Sequence, residues 1–261
     1  MLTKIILIII ITLSTYSLQI EAQKPENLNI ANTKMVLIKS GYYTPLFRQN
    51  GNSEKEFVKS FYIDIHAVTN EQFLQFVKAN PEWSRSKVKK IFADESYLKD
   101  WKSDFNPSEN VNPSAPVVYV SWFAAKAYSK WVGKRLPTLA EWELVAMAGK
   151  NNRGPNKDEK FNENLIRWYL AELPKQLDKV MSGEKNYWGV YDMFGLIREW
   201  TFDFNTANIN GTAICGGGSA GATDLTNYPA FLRYGFNSCL SANSDLGNLG
   251  FRCAKDTNQN F

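Results

Sequence analysis

Apolar and polar residues alternate over residues 56–65, EFVKSFYIDI, and this period of two predicts a half-buried strand. A second β-rich run, MVLIKSGYY, begins at Met35. The apolar stretch from Pro116 to Val120 predicts a short buried strand. The chain therefore opens with strands and returns to one before its helical part.

A helical period follows the first strands. Thr69 and Gln72 have the spacing of a capping box, and the apolar residues that follow share one helical face, so we expect a helix over residues 70–79. The basic and aromatic segment 82–101 predicts a further amphipathic helix. Residues 150–165 are rich in charge and predict a loop.

Two main helices are predicted in the middle of the chain. Ser121 caps the first, which ends near Gly133. Thr138 and Glu141 form a second capping box, and the helix that they start ends near Gly149. These two helices are expected to form the helical core.

The C-terminal part of the chain alternates aromatic residues with glycine-rich turns and has few long periodic runs. This pattern predicts an α+β fold. We expect a single compact domain with much irregular structure, short antiparallel strands and the two main helices.

The N-terminus has the pattern of a secretory signal over residues 1–22, with Lys4, an apolar run and small residues before the expected cleavage point. A membrane anchor is the rival interpretation, but the apolar run is shorter than the ~20 residues that span a bilayer. We expect a periplasmic or secreted protein without a membrane span after cleavage. Its parts would be a flexible lead-in at 23–34, the domain at 35–255 and a tail at 256–261.

The formal net charge of +4 is small for 261 residues. A basic cluster at Arg85, Lys87, Lys89 and Lys90 is interleaved with apolar residues, which is typical of a solvated helix face. We therefore expect no nucleic acid partner.

The chain has three cysteines and one histidine. Three cysteines in an oxidising compartment allow one disulfide and one free thiol. The usual zinc and non-heme iron sites need several histidines, or histidine with cysteine or carboxylates. The single His66 cannot supply a multi-histidine site.

Five motifs occur in order: YIDIHAVTNEQF at 62–73, RLPTLAEWE at 135–143, GVYDMFGLIREW at 189–200, GGGS at 216–219 and NLGFR at 248–252. Together they resemble the formylglycine-generating enzyme, or sulfatase-modifying factor, family. The resemblance covers roughly residues 35–255 and implies that family's fold, which is distantly like that of C-type lectins.

The resemblance also implies a site. In the family, two cysteines shortly after the GGS motif bind copper(I) and activate oxygen, because soft thiolates select that ion. The matching positions here are about Ala222 and Asn227, and no cysteine lies between Ser219 and Cys239. We therefore do not expect oxidation of cysteine to formylglycine.

Other matched residues remain. Trp200 and Ser219 correspond to residues that line the family's oxygen pocket, and Asn248 to one near its substrate groove. The alternative is that these three have structural roles, as a buried tryptophan and turn-forming polar residues.

Calcium ligation is also in doubt. The family's segment supplies an asparagine ligand where this chain has Leu196, and Arg198 stands where the family has tryptophan. An aliphatic side chain cannot ligate a cation that requires oxygen. Glu199 is then a weak metal candidate that could instead pair with Arg198 or another base. Copper and calcium stay candidate cofactors, although the family's ligands are largely missing.

The cysteines leave two further options open. Cys215 precedes the triple glycine, whose backbone N–H groups could make it a reactive thiol, or it is a small buried residue on a strand. Cys239 and Cys253 are candidates for a disulfide, although relatives with similar spacing pair each of these cysteines elsewhere.

Three hypotheses for function follow. The segments NPEW, SKVK and FADESYL resemble a branch of the family encoded beside copper nitrite reductases, which suggests an exported accessory protein for such an enzyme. A thiol- or copper-dependent oxidoreductase that uses Cys215 is the second. A carbohydrate- or peptide-binding module, with an aromatic-rich cleft, is the third.

Overall fold

The computed structural model describes residues 32–45, 55–154, 159–207 and 228–258. Within these ranges the chain forms five α-helices, nine short strands and two 3₁₀ turns, at Pro81–Trp83 and Phe204–Ala207. The helices are α1 (Asn70–Ala79), α2 (Trp122–Trp131), α3 (Leu139–Ala146), α4 (Glu159–Leu170) and α5 (Tyr228–Ser238).

The strands have two to four residues each. They are β1 (Met35–Ile38), β2 (Gly41–Tyr43), β3 (Glu56–Val58), β4 (Phe61–Asp64), β5 (Trp101–Ser103), β6 (Asn106–Pro107), β7 (Arg198–Glu199), β8 (Leu249–Gly250) and β9 (Ala254–Asp256). An antiparallel sheet has the order β1-β4-β9, β2 pairs with β3, and β5 with β6. The pair β7-β8 is parallel. The α+β class with short antiparallel strands is confirmed.

Both predicted capping boxes are present. Gln72 N donates to Thr69 Oγ1 at 3.3 Å, while Thr69 N donates to Gln72 Oε1 at 3.0 Å. Glu141 N and Thr138 Oγ1 lie 3.2 Å apart, and Thr138 N donates to Glu141 Oε2 at 2.8 Å. Each box satisfies donors that the first turn of a helix leaves unpaired, which is why α1 and α3 begin where the sequence predicts.

Two large apolar cores and a smaller cluster lie within the described part of the domain. In one, Phe73 of α1 packs against Tyr128 of α2, Trp101 and Phe251, with ring centroids 5.9, 6.3 and 6.2 Å away. In the other, α3 packs on the β1-β4-β9 sheet and the β2-β3 hairpin. The two main helices of the prediction thus each face a different core.

The helical expectation for residues 82–101 is wrong. After the 3₁₀ turn the chain continues through successive turns, and Leu98 has a φ of 48°, which no right-handed helix allows. Side chains hold this path: Ser86 bonds Asp104 through its amide and hydroxyl, and the Tyr97 hydroxyl donates to Trp83 O at 3.0 Å. These distant anchors outweigh the local helical pattern.

The loop expected over residues 150–165 is confirmed for residues 150–154 but wrong from Glu159, where α4 begins. Leu165 and Tyr169, four residues apart, are its buried residues. The described ranges thus contain five helices, of which α2 and α3 are the two main helices of the prediction. The stretch 116–120 is buried, but it makes one isolated bridge, between Pro116 and Thr69, rather than a strand.

The packed chain extends slightly beyond the predicted domain. Thr33 is buried and accepts a hydrogen bond from Gln72 Nε2 at 2.9 Å, and β9 runs to Asp256. The predicted signal at residues 1–22 lies outside the described residues. No helix in the described ranges combines the length and apolar composition that crossing a membrane requires.

Gly250 of β8 provides a test of this packing. A Cβ atom at this position would collide with the carbonyl oxygen of Val117 and lie 2.8 Å from Ile197 Cδ1. We expect Gly250→Ala to lower the free energy of unfolding by about 3 kcal/mol, the upper end of overpacking costs, because the obstructing atom is backbone. Chemical denaturation measures this change in the free energy of unfolding.

Gly154→Ala is the matched control, since the nearest atom to its added Cβ would be Asn152 Oδ1 at 3.9 Å, an ordinary contact. We expect the control to change the free energy of unfolding by less than about 0.5 kcal/mol. Equal effects of the two substitutions would contradict the close approach of β8 to Val117.

Candidate functional site

The parallel pair β7-β8 brings together three of the residues that the motifs single out. Arg198 N donates to Asn248 O at 2.7 Å, and Trp200 N donates to Gly250 O at 2.9 Å. Glu199 lies between these two bonds and opposite Gly250. Residues 50 positions apart in sequence therefore form one short ladder, and their side chains diverge from it.

The Glu199 carboxylate is fully buried and pairs with Arg252, which is also fully buried. Arg252 Nε lies 2.8 Å from Glu199 Oε2 and 3.0 Å from Oε1, and its Nη2 lies 2.8 Å from Oε1. Trp142 Nε1 of α3 donates to Oε2 at 2.8 Å. Glu199 is thus paired with Arg252 rather than with Arg198.

This network decides what Glu199 can hold. A carboxylate has about four lone-pair positions, and the Arg252 and Trp142 contacts use two on each oxygen. Calcium would need oxygen ligands with free lone pairs. In the described ranges no three residues among histidine, cysteine, aspartate and glutamate form a cluster for a metal ion. The residues at Glu199 therefore do not fit calcium.

Trp200 is a core residue. Its side chain is 1% exposed, its Nε1 donates to Val120 O at 2.8 Å, and its ring meets Phe204 edge to face at 4.9 Å. Asn248 is half-buried and uses its carbonyl in the β7-β8 ladder. Ser219 lies outside the described residues. The structure thus brings Trp200 and Asn248 close to Glu199, with Trp200 in a structural position.

The structure corrects the predicted pairing of the cysteines. Cys239 is disulfide-bonded, whereas Cys253 is a free thiol that is fully buried, so the expected Cys239–Cys253 disulfide is wrong. The Cys253 sulfur lies 3.3 Å from Ser129 Oγ, and the Cys253 amide donates to Asp64 Oδ2 at 3.1 Å. Burial, aided by the Asp64 charge, raises the pKa of the Cys253 thiol. Cys215 lies outside the described residues.

These states exclude a copper site built on Cys239 and Cys253. Copper(I) needs accessible thiolates, but the Cys239 sulfur is already bonded to another sulfur, and the Cys253 thiol is fully buried against Ser129. Neither described cysteine fits the metal.

A cleft opens beside β7. It contains about 360 Å³ between protein atoms, counting its open mouth, although a water-sized sphere can be centred in only about 20 Å³ of it. Its lining comes from α3, α4, α5 and the segment 193–201 around β7. These residues are Leu139, Trp142, Trp168, Tyr169, Met193, Ile197, Arg198, Glu199, Thr201, Arg233, Phe236 and Asn237.

One charge in the cleft is neutralised by a close ion pair. Arg233 Nε lies 2.6 Å from Glu143 Oε1 and its Nη2 lies 2.6 Å from Oε2, with both side chains about 11% exposed. Burial acts to lower the pKa of Arg233, but the Glu143 carboxylate raises it overall. Arg233 also lies over the rings of Trp142 and Phe194. This pair is a rigid part of the cleft.

Arg198 is the other arginine of the cleft. Its guanidinium lies 4.0 Å from the centre of the Phe236 ring and 5.0 Å from that of Tyr169, and Nη2 donates to Tyr169 O at 3.1 Å. Burial lowers the pKa of Arg198, yet arginine remains charged in proteins. The structure therefore presents a fixed, half-buried cation at the cleft.

Sequence reasoning identified Arg198 only as a substitution in a motif. It missed Arg233 and Trp168, because α5 and α4 lie outside the recognised motifs. The apolar periodicity of α4 was the one available signal, since Leu165 and Tyr169 are four residues apart.

Comparison with known proteins places this geometry in a family. The model of the sulfatase-modifying factor enzyme 1-like domain matches residues 20–257. The inactive C-alpha-formylglycine-generating enzyme 2 of Bos taurus is 30% identical over 236 residues, which cover 76% of this chain and 77% of the relative. The fold expected from the motifs is confirmed.

Two other similarities reach less far. The serine/threonine-protein kinase pkn1 of Chlamydia caviae is 33% identical over 192 residues, 70% of this chain but 29% of the kinase, so the chain spans under a third of that relative. The structure of PvdO from Pseudomonas aeruginosa matches with a TM-score of 0.50 at 22% identity, covering 87% of this chain and 95% of PvdO. The PvdO likeness shows the fold alone.

The Glu199–Arg252 pair generates a stability prediction. We expect Arg252→Met to lower the free energy of unfolding by about 3–5 kcal/mol, because it leaves a buried carboxylate without its cation. Adding Glu199→Leu should recover part of this loss, since the orphaned charge is removed as well. Urea denaturation of the two variants measures both effects.

Arg167→Met is the control. Arg167 pairs with Glu163 at 3.7 Å on the surface of α4, and its side chain is 76% exposed. We expect a change within about 0.5 kcal/mol. A double variant less stable than Arg252→Met would show that the ion pair itself is not the source of the loss.

Proposed function

We propose, from the premise that this chain belongs to the sulfatase-modifying factor enzyme 1-like family, that it is an exported accessory protein that does not oxidise cysteine to formylglycine. The observation that carries this proposal is the state of its sulfur atoms. The family's two copper-binding positions correspond to about Ala222 and Asn227 in the sequence. The described cysteines cannot replace them, because Cys239 is in a disulfide and Cys253 is buried.

The intact scaffold supports a binding role. The two capping boxes, the buried Glu199–Arg252 pair and the aromatic core are all formed. The family also includes a relative, 30% identical to this chain, that is named as an inactive formylglycine-generating enzyme. A stable family fold without the copper thiolates is suited to recognition rather than to oxygen chemistry.

The disulfide at Cys239 supports export. Disulfides persist in the periplasm and outside cells and are rare where glutathione keeps thiols reduced. The secretory pattern of residues 1–22 also indicates export to such an oxidising compartment. The proposed location is therefore periplasmic or extracellular.

The proposed partner class is an exported copper enzyme such as a nitrite reductase. This rests on the segments NPEW, SKVK and FADESYL, which the structure folds into a turn-rich surface over residues 80–98. Within it Ile91 is 71% exposed, and Lys90 and Glu95 lie almost fully in solvent. Ile91 is therefore the residue of this surface at which the proposed contact is tested.

The catalytic half of the proposal is tested directly. The chain without residues 1–22 is incubated with copper(I), oxygen and a sulfatase-derived peptide that contains the target cysteine, and mass spectrometry measures the aldehyde product. We expect no product above background, since two thiolates are needed to hold copper(I). An active formylglycine-generating enzyme run in parallel must convert the peptide. Conversion by this chain would refute the proposal.

The partner half is tested by co-purification from cells that express the tagged chain and an exported copper nitrite reductase. We expect co-purification with the unmodified chain and at least a tenfold loss with Ile91→Asp, because a charge at an apolar contact costs about 1.4 kcal/mol or more. Leu170→Asp is the matched control, as Leu170 is 70% exposed on another surface. Absence of copurified enzyme, or equal losses in both variants, would contradict this partner.

A further inference from the structure

The Arg198 guanidinium has donors to spare. Of its five N–H groups, one bonds the Tyr169 carbonyl, and no carboxylate in the described ranges lies within ion-pair distance of it. The Phe236 ring at 4.0 Å and the Tyr169 ring at 5.0 Å hold its plane in place. A half-buried cation with fixed orientation and unused donors is the usual partner of a ligand oxyanion.

Two other polar groups of the same cleft have unmet hydrogen-bonding capacity. The Thr201 side chain is 2% exposed, and its Oγ1 is buried without a hydrogen-bond partner. Asn237, on α5, is 8% exposed, and its amide makes no side-chain hydrogen bond to the described residues. An unpaired buried hydroxyl costs about 1–3 kcal/mol, so a ligand atom that bonds it recovers part of that cost.

The charge balance of the cleft favours an anion. Glu143 neutralises Arg233, and Arg252 neutralises Glu199, each through close contacts on both carboxylate oxygens. Arg198 is the remaining charge among the lining residues, and it is positive. The surrounding rings of Trp142, Trp168 and Phe236 lower the local dielectric constant, which strengthens the attraction between this cation and an anion.

The dimensions limit what can enter. A water-sized sphere can be centred in only about 20 Å³ of the inner space, while the whole cleft with its mouth contains about 360 Å³. A terminal group of two or three oxygens therefore suits the inner space better than a ring or a sugar, and an apolar remainder can rest on the aromatic residues at the mouth.

We propose that this cleft binds a carboxylate, with Arg198 as its ion-pair partner and the Thr201 hydroxyl and Asn237 amide as further hydrogen-bonding groups. The carboxylate belongs to a small organic acid or to the C-terminus of a peptide, and both present the same two oxygens. The assignment goes beyond the accessory role. Carboxylate binding is tested on the isolated chain. A negative co-purification result therefore does not contradict the carboxylate site, and a negative carboxylate result does not contradict the proposed partner.

The experiment compares acids with their neutral amides. Calorimetry and tryptophan fluorescence of the chain without residues 1–22 are recorded with 3-phenylpropionate, 3-phenylpropionamide, N-acetyl-Ala-Phe and its C-terminal amide. We expect the acids to bind and the amides to bind at least tenfold more weakly, because the amides lack the charge that pairs with Arg198. Tighter binding of the dipeptide acid assigns the site to peptides, and tighter binding of phenylpropionate assigns it to free acids.

Variants separate the named residues from general adsorption. Arg198→Gln should weaken acid binding at least tenfold, since it removes the charge-assisted bonds. Thr201→Val, which keeps the shape and removes the unpaired hydroxyl, should weaken binding about threefold without loss of stability. Arg167→Gln, an exposed arginine on α4, should leave the dissociation constant unchanged.

The Thr201 variant keeps the test decisive if Arg198→Gln does not fold. Equal affinity for acids and amides overturns the proposal, as does unchanged acid binding in Arg198→Gln or, failing that variant, in Thr201→Val. Absence of acid binding up to about 10 mM, ten times a dissociation constant of about 1 mM, also overturns it.

Discussion

Arg252 is the side chain on which the arrangement of this domain depends. It is fully buried and, besides Glu199, its guanidinium reaches the carbonyls of Asp64 at 3.3 Å and Tyr191 at 3.0 Å. These contacts link β4, β7 and the segment 191–192 across more than 50 positions of sequence. Strands of two to four residues hold few ladder bonds, so a buried cation that must be surrounded by acceptors helps to fix their relative positions.

The Glu199–Arg252 ion pair also explains how the domain is stabilised without the calcium ligands that the resemblance implies. Leu196 occupies the position of the lost asparagine and packs in a small apolar cluster with Ile197 and Val118. The carboxylate of Glu199, which could have held a cation, is neutralised by Arg252 and accepts a further hydrogen bond from Trp142. A protein cation thus compensates the buried negative charge, which otherwise would cost several kcal/mol.

Local signals predicted local structure well and distant contacts poorly. Thr69 with Gln72 and Thr138 with Glu141 specify helix starts within three residues, so the sequence sufficed for α1 and α3. Segment 82–101 has a helical pattern too, but Tyr97, Leu98 and Trp101 are anchored in the core by residues far along the chain. The cysteine pairing and the cleft at Arg198 likewise depend on which distant elements meet, which spacing alone does not encode.

In the proposed function, the absence of cysteine at the family's two copper positions and the fixed cation of Arg198 favour the same role. Catalysis requires interactions that strengthen in the transition state, and copper thiolates would supply them. Arg198 is held by two aromatic rings and a carbonyl before any ligand arrives, so an anion can pair with it without first reorganising the cleft. Preorganisation of this kind favours the formation of a complex. The geometry around β7 therefore supports recognition as the property that this scaffold can still provide.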